Sequence, residues 1–333
     1  MTSARADSTV EWNPLVVLLG PTAVGKTAMA LDLACALDGE VVSADSRLFY
    51  RGMDIGTAKP SSDEQAVVPH HLIDIADPDE TVGLAEFQSL AYDAIVSILM
   101  RGRLPLLVGG TGQYVRAVVE GWRIPRVPPD PALRSALEAE ASRDGASALH
   151  ARLAGLDPAA AAAIDYRNVR RVVRALEVCL VTGQPISQQQ GKRPPPFRIL
   201  QIGLTMDREL LYARADRRVD EMMAAGLEGE VRELLEQGYG WNLPAMSGLG
   251  YGQFRPYVEG RASLQEVVEA IKSETHSFIR RQYNWFRLSD SAIRWFDVPE
   301  TAVKVVVREV ERWLAQTWSP PGCSHDRPVV ECT

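Results

Sequence analysis

Gly20, four further residues and then Gly25-Lys26-Thr27 make the spacing of a phosphate-binding loop. Glycines there let backbone N–H groups turn toward an anion, and a helix opening at the end of the loop adds its positive N-terminal end. Lys26 brings a mobile positive charge, and the Thr27 hydroxyl is placed to reach a metal ion on the phosphates. The bland alternative is a glycine-rich turn that merely packs. The flanks argue against it. An apolar run, Val16 to Leu19, precedes the loop, and Met29, Leu31, Leu33, Ala34 and Leu37 follow at helical spacing before Gly39 ends the helix.

The next groups with chemistry stand at the ends of other apolar runs. Val41-Val42 leads to Asp45-Ser46. In an open parallel sheet, residues just past the carboxyl ends of strands line the ligand crevice, so Asp45 is expected beside the phosphate loop. Its alternative is a cap or turn residue. Leu104 to Val108 reads as a buried parallel strand, and Gly109-Gly110-Thr111-Gly112 as a second glycine loop facing the same crevice, or else a tight turn only. Phe197 to Leu204 is another core strand. Asp207 then caps a helix carrying Arg214, Arg217 and Arg218, and one of the last two can reach the crevice unless ion pairs with Asp216, Asp220 or Glu221 hold them. Lys59 is either a second phosphate contact or solvated, and His70-His71 are given structural roles. Ser247 to Gln253 is a third glycine-rich loop.

From about Arg123 the pattern changes. Asp130-Pro131 and Asp157-Pro158 each read as an N-cap with proline at the first helical position, and helix-prone segments follow without a strand between them. This predicts a helical insertion in an α/β core. Its last helix, Asn168 to Val181, sets Arg167, Arg170, Arg171 and Arg174 on one face and Val169, Val172, Val173, Leu176 and Leu180 on the other. Between Tyr166 and Arg198 there are seven Lys or Arg against one acid, Glu177, in a chain of net charge −7. A solvated face is the usual meaning of such a run; against an acidic background it points to an anionic polymer. Lys272 to Arg287 is helical and mixes Arg280, Arg281 and Arg287 with Phe278, Tyr283, Trp285 and Phe286, a mixture that suits nucleic acid, although such aromatics alone are more often core.

The expected fold class is α/β: a parallel sheet like that of P-loop NTPases, flanked by helices, with a helical insertion. The boundaries read as a disordered tail at 1–12, core at 13–122, insertion at 123–198, core again at 199–318 and a disordered tail at 319–333. With 333 residues, 46% hydrophobic and 24% charged, the composition is that of an ordinary soluble globular protein. No apolar run approaches the roughly 18 residues of a membrane span, and the N-terminus lacks the apolar core of a signal peptide, so the cytoplasm is expected. A monomer without an obligate protein partner is the default. Cys35 and Cys179 read as buried thiols; Cys323, His325 and Cys332 lack metal-site spacing.

Taken in order, GPTAVGKT, SADS, RGMDIGTAKP, PHHLIDI, VGGTG, NVRRVVRALEV, RVDEMMAAGLEGEV, GLGYGQ and RRQYNWFR resemble the bacterial tRNA dimethylallyltransferases, also called tRNA isopentenyltransferases, over about Leu15 to Asp297. The resemblance implies transfer of a dimethylallyl group from dimethylallyl pyrophosphate to N6 of the adenosine at tRNA position 37, 3′ of the anticodon, in tRNAs reading codons that begin with U. It implies that Gly20, Pro21, Thr22, Ala23, Val24, Gly25, Lys26 and Thr27 cradle the pyrophosphate, with Mg²⁺ on its oxygens and on Thr27. Asp45 is implied as the base for the amine, with Arg218, Lys26 and Thr27 acting on the leaving group. Asp45, Ser46, Arg47, Leu48, Thr111, Arg170, Arg171, Val172, Val173, Arg174, Ser247, Gly248, Leu249, Gly250, Tyr251 and Gly252 match tRNA-contact segments. Leu48 stands where most members have glutamine, and Gly252 where a larger basic residue is common. The rivals are an adenylate isopentenyltransferase acting on a free nucleotide, a P-loop nucleotide kinase and a non-catalytic RNA-binding module.

Overall fold

The computed structural model describes residues 13–298, 301 and 303–316. The expected disordered tails, with Cys323, His325 and Cys332, lie outside the described residues. The chain opens with β1 (Pro14–Leu19), α1 (Lys26–Leu37), β2 (Gly39–Ser43), α2 (Ser62–Val67), β3 (His70–His71), α3 (Leu84–Met100), β4 (Leu104–Gly109) and α4 (Gly112–Val119). Next come β5 (Trp122–Arg123), α5 (Pro131–Asp144), α6 (Ala146–Leu156), α7 (Pro158–Ala163), α8 (Val169–Thr182), α9 (Ile186–Gln189) and β6 (Gly191–Lys192). It closes with β7 (Arg198–Thr205), α10 (Arg208–Ala224), α11 (Leu227–Glu236), α12 (Arg255–Val258), α13 (Leu264–Trp285), β8 (Ile293–Asp297) and α14 (Val303–Ala315). Two compact units result: Ala117–Pro195, and the chain on either side of it.

The larger unit is built on one six-stranded sheet of order β3-β2-β4-β1-β7-β8, with every pairing parallel. All six residues of β1 are buried, as a strand covered on both faces requires. Val16 pairs with Leu106 on one side and Leu200 on the other, so β1 lies between two equally apolar strands. Met29, Leu33 and Ala34 of α1 close over this sheet together with Leu211 and Ala215 of α10, Ile279 of α13 and Val306 and Val310 of α14. Each Val, Leu, Ile or Met among them contributes about 1.5–3 kcal/mol of burial. The chain leaves α1 through Asp38, left-handed at φ 52°, and Gly39 is the first residue of β2 rather than the helix stop.

Parallel pairing sends the loops after β1, β2, β4 and β7 out of one edge of the sheet. The Ala44 N–H donates to the Val108 carbonyl at 2.8 Å, which carries the ladder to that edge and delivers Asp45 next to the second glycine loop. A second cluster anchors the lower part of this unit. Val219 of α10, Val231 and Leu234 of α11, Tyr251, Phe254 and Ile271 pack on Tyr50 and Met53.

His70 and His71 are the strand, paired with Val41 and Val42, and the apolar run after them is irregular, with Leu72 and Asp74 left-handed. His71 Nε2 meets the buried Glu40 carboxylate at 2.7 Å, and His70 Nδ1 meets the Val68 carbonyl at 2.7 Å, so both are structural. Lys59 is neither solvated nor turned to a phosphate. Its ammonium donates to the Tyr50 carbonyl at 2.9 Å and pairs with Asp54 and Asp74.

The unit Ala117–Pro195 is helical, apart from the antiparallel pair of β5 and β6. Asp130 and Asp157 cap α5 and α7 by accepting from Leu133 N and Ala160 N, each at 3.0 Å. Arg198 is the first residue of β7 and pairs with Pro14. Asn168 caps α8, so Arg167 precedes that helix and pairs with Asp165 instead of joining its face. Val172, Val173, Leu176 and Cys179 form the core of this unit with Leu137, Leu149 and Leu153, whereas Leu180 is exposed. No described helix is long and apolar enough to cross a membrane.

Candidate active site

The loop between β1 and α1 has the shape its residues dictate. Gly25 takes φ 103° at the N-cap of α1, a conformation that favours glycine, and Ala23 is left-handed at φ 63°. A non-glycine residue held there costs roughly 1–2 kcal/mol, which the surrounding contacts must offset. Gly20, Pro21 and Val24 are buried, Thr22 and Lys26 are half-buried, and Thr27 is exposed in the first turn of α1. The Lys26 ammonium donates to the Pro21 carbonyl at 2.7 Å, folding back across the loop it belongs to.

Asp45 leaves β2 in a tight turn. Its own N–H donates to Ser43 Oγ at 3.3 Å, and its Oδ1 accepts from Arg47 N at 3.0 Å. Arg218 reaches the same place from α10. Burial pushes the Lys26 ammonium down to about 8; Asp45 opposes that shift and Arg218 adds to it. Burial also lowers the Arg218 guanidinium, with Asp45 again opposing. One carboxylate and two cations, from three separate segments, thus share one electrostatic environment at the carboxyl edge of the sheet. Arg218 makes no hydrogen bond or ion pair to a described residue. Two cations against one carboxylate around a glycine loop are suited to receive an anion with several charges.

Two contributors escape sequence reasoning. Arg214, one helical turn before Arg218, brings a guanidinium to 3.7 Å from where a side chain at Gly25 would begin, so it borders the loop. It also opposes protonation of Arg218. Arg217 is exposed. The other is Gln282 of α13, which is 4% exposed. Its Oε1 accepts from Thr22 N at 2.8 Å, and its Nε2 donates to the Gly110 carbonyl at 3.0 Å. The available signal was periodicity: Gln282 continues the buried stripe Val267, Ile271, Thr275 and Ile279.

The third glycine loop is brought to Asp45 by Arg47. The Arg47 guanidinium donates to the carbonyls of Pro244 at 3.1 Å and Ala245 at 3.4 Å. Ser46, Leu48 and Thr111 are half-buried near this turn and the second loop. Ser247 is exposed, Leu249 and Gly252 are half-buried, and Gly248 and Gly250 are buried. The Tyr251 side chain faces inward: it is fully buried, and its hydroxyl donates to Glu230 at 2.7 Å. The same Glu230 carboxylate accepts the N–H groups of Asp54, Ile55 and Gly56, so Tyr251 belongs to a brace.

In the helical unit, Arg170 and Arg171 are exposed without an ion pair to a described residue. Val172 and Val173 face the opposite way, buried at 0% and 3%, and present no side chain to a ligand. Arg174 is engaged internally, bound to Glu177 and to the Val127 carbonyl. Of the aromatics at the end of α13, Tyr283 meets Thr205 Oγ1 at 3.0 Å and Trp285 is partly exposed, while Phe286, just past the helix, is core. The described residues hold no group of three or more His, Cys, Asp or Glu that suits a metal.

Comparison with known proteins adds an independent line. A family model described as IPP transferase matches residues 48–289. A tRNA dimethylallyltransferase of Roseiflexus castenholzii is 61% identical over 274 residues, 82% of this chain and 90% of that protein. The crystal structure of the full-length tRNA isopentenylpyrophosphate transferase of Bacillus halodurans superposes with a TM-score of 0.67 at 42% identity, over 92% of this chain and 96% of that one. A eukaryotic dimethylallyltransferase acting on tRNA gives a TM-score of 0.78 at 24% identity, over 91% and 80% of the two chains, a likeness of fold.

Proposed function

The chain belongs to the IPP transferase family, and on that basis we propose that it transfers the dimethylallyl group of dimethylallyl pyrophosphate to N6 of adenosine 37 in tRNAs reading codons that begin with U. The observation that carries the reading is the convergence of Asp45, Lys26 and Arg218 on the phosphate loop.

The chemistry follows from that convergence. The N6 lone pair attacks the allylic carbon while the C–O bond breaks, and its electron pair leaves with the pyrophosphate. Negative charge grows on the leaving group, so Lys26, Arg218 and the bordering Arg214 bind the transition state more strongly than the ground state. Asp45 accepts the proton that the amine sheds. An exocyclic adenine amine is a poor nucleophile, so holding its lone pair in line matters as much as removing its proton. The adenine must leave the anticodon-loop stack to reach Asp45. In this reading Ser46, Leu48, Thr111, Ser247 and Gly252 contact the RNA on that approach, and Arg170 and Arg171 are the phosphate contacts for the anticodon stem.

Mg²⁺ fits the donors present. A hard cation that keeps much of its water needs few protein ligands, and the exposed Thr27 hydroxyl would hold it together with oxygens of a bound pyrophosphate. When bound it neutralises leaving-group charge. With tRNA as acceptor, the cytoplasm is the place of action.

The test is a transfer assay with labelled dimethylallyl pyrophosphate, Mg²⁺ and either unmodified tRNA or AMP. Label is expected in tRNA. Label in AMP alone would move the assignment to a free-nucleotide prenyltransferase, and phosphoryl transfer from ATP would move it to a kinase.

A further inference from the structure

We propose that Gln282 is a positioning residue that locks the phosphate loop to the Gly110–Thr111 turn and so sets the spacing between the leaving-group cradle and the acceptor side of the crevice. The proposal rests on the prenyl-transfer reading above, and it assigns a role to a side chain that need not touch either substrate.

One buried carboxamide joins two loops that leave adjacent strands, β1 and β4. At neutral pH the chemistry calls for an amide. Thr22 N–H requires an acceptor and the Gly110 carbonyl requires a donor, and a carboxamide presents both at once. A carboxylate would set an oxygen against the Gly110 carbonyl, and an apolar side chain would leave that buried carbonyl and the half-buried Thr22 N–H without their partner. The fit is close. A Cβ at position 110 would lie 2.3 Å from the Gln282 nitrogen, so glycine is needed there to admit the amide.

The bond to Thr22 also determines what the loop offers an anion. Thr22 N–H is committed to Gln282, so the amides left to the pyrophosphate are those that follow it in the loop. The bond fixes the residue just before Ala23, whose left-handed φ of 63° is unfavourable unless its neighbours are held. Gln282 therefore keeps the cradle in a receiving shape before the ligand arrives, and a preorganised cradle loses less free energy on ordering. The end of α13 is itself secured to the second loop. Arg116 donates to the Trp285 carbonyl at 2.7 Å, and the Trp285 side chain covers Gly112 so closely that a Cβ there would lie 2.3 Å from its ring.

The experiment compares wild type with Gln282→Met and Gln282→Glu by thermal melting, calorimetric affinity for inorganic pyrophosphate, tRNA affinity and single-turnover transfer at saturating substrates. Loss of a buried hydrogen-bond bridge is expected to weaken pyrophosphate about tenfold in Gln282→Met and to slow transfer at saturation by at least about tenfold. The melting temperature should stay within about 5 °C of wild type and tRNA affinity within about twofold. Gln282→Glu supplies a readout that a packing role would not move. A neutral carboxyl can donate to Gly110, so the deficit relative to wild type should shrink as pH falls from about 8 toward about 5. Wild-type pyrophosphate affinity and rate in a folded Gln282→Met would overturn the proposal. So would a deficit that merely tracks the unfolded fraction, or one in Gln282→Glu that ignores pH. If wild type transfers nothing but Gln282→Met still weakens pyrophosphate, the reaction assignment falls and the positioning role stands.

Discussion

The backbone amide of Arg47 donates to Oδ1 of Asp45 at 3.0 Å, and the guanidinium of the same arginine holds the carbonyls of Pro244 and Ala245. Arg47 is thus a strut. It orients the carboxylate through the main chain and ties the third glycine loop to it through the side chain. The other carboxylate oxygen of Asp45 has no hydrogen-bond partner among the described residues, which leaves it open to a proton.

Asp45→Asn separates the turn from the chemistry. The amide oxygen still accepts from Arg47 N, so the loop should keep its shape, while the group no longer takes a proton. Single-turnover transfer is expected to fall roughly a hundred- to ten-thousand-fold, with tRNA affinity unchanged. A rate within about threefold of wild type would remove Asp45 as the base.

Lys26 is expected to make pyrophosphate binding sensitive to alkali. Its ammonium titrates near 8 in the free protein, and only the charged form attracts the ligand. Pyrophosphate affinity is therefore expected to be highest below pH 8 and to fall as pH rises through that value, with no such inflection in Lys26→Met. Stability runs the other way. The folded pKa is below that of the unfolded chain, 10.5, so the charge is destabilising below about pH 8 and the cost is relieved as pH rises toward 10.5. Lys26→Met should accordingly melt a few degrees higher than ligand-free wild type at neutral pH, measured calorimetrically.

Arg214 and Arg217 can be told apart by the donor. Both are exposed, but Arg214 borders the loop at Gly25 and faces Arg218 closely enough to oppose its protonation. Arg214→Ala is expected to raise the KM for dimethylallyl pyrophosphate about tenfold, the typical effect of removing one charge-assisted hydrogen bond, while Arg217→Ala leaves it unchanged.

Much of this site was legible because its signals are local. Gly20 to Thr27 between an apolar strand and an amphipathic helix admits few other folds, and Asp45 follows from the rule that crevice residues stand just past strand ends. The helix of Arg208–Ala224 was legible too, but which of its arginines turns inward depends on packing against α13, so Arg218 came from resemblance and Arg214 was not singled out. Gln282 was missed because its meaning is made 260 residues away, at Thr22. Lys59 and Tyr251 were misplaced for a related reason. Their sequence context is that of a polar loop, whereas Asp74 and Glu230, the groups that draw them inward, come from elsewhere in the chain.

The basic face of α8 divides in two. Arg170 and Arg171 are exposed and unpaired among the described residues, whereas Arg174 is bound to Glu177. Replacing Arg170 and Arg171 by alanine should flatten the dependence of log tRNA affinity on log salt by about 2, roughly one for each phosphate that is no longer neutralised. Arg174→Ala should alter that slope much less, its guanidinium being held by Glu177 and the Val127 carbonyl. Equal slopes for wild type and the double variant would return this face to simple solvation.

Glu177 is the charge on which the helical unit depends. It is fully buried in α8, where it accepts two bonds from Arg134 and one from Asp130 N, each at 2.8 Å, and one from Arg174. Burial alone would raise its pKa; Arg134, the Asp130 amide and Arg174 overcome that and hold it at about 2. Its contribution to stability is therefore fully present above the unfolded value, 4.5, and disappears as pH falls through about 2. Glu177→Ala removes one partner of a buried ion pair and is expected to destabilise this unit by about 3 kcal/mol at neutral pH, read as reduced hydrogen-exchange protection along α5 and α8. The difference between wild type and Glu177→Ala should narrow steadily below pH 4.5. A difference that stays constant down to about pH 2 would mean that the carboxylate's charge is irrelevant and that only its volume in the core matters.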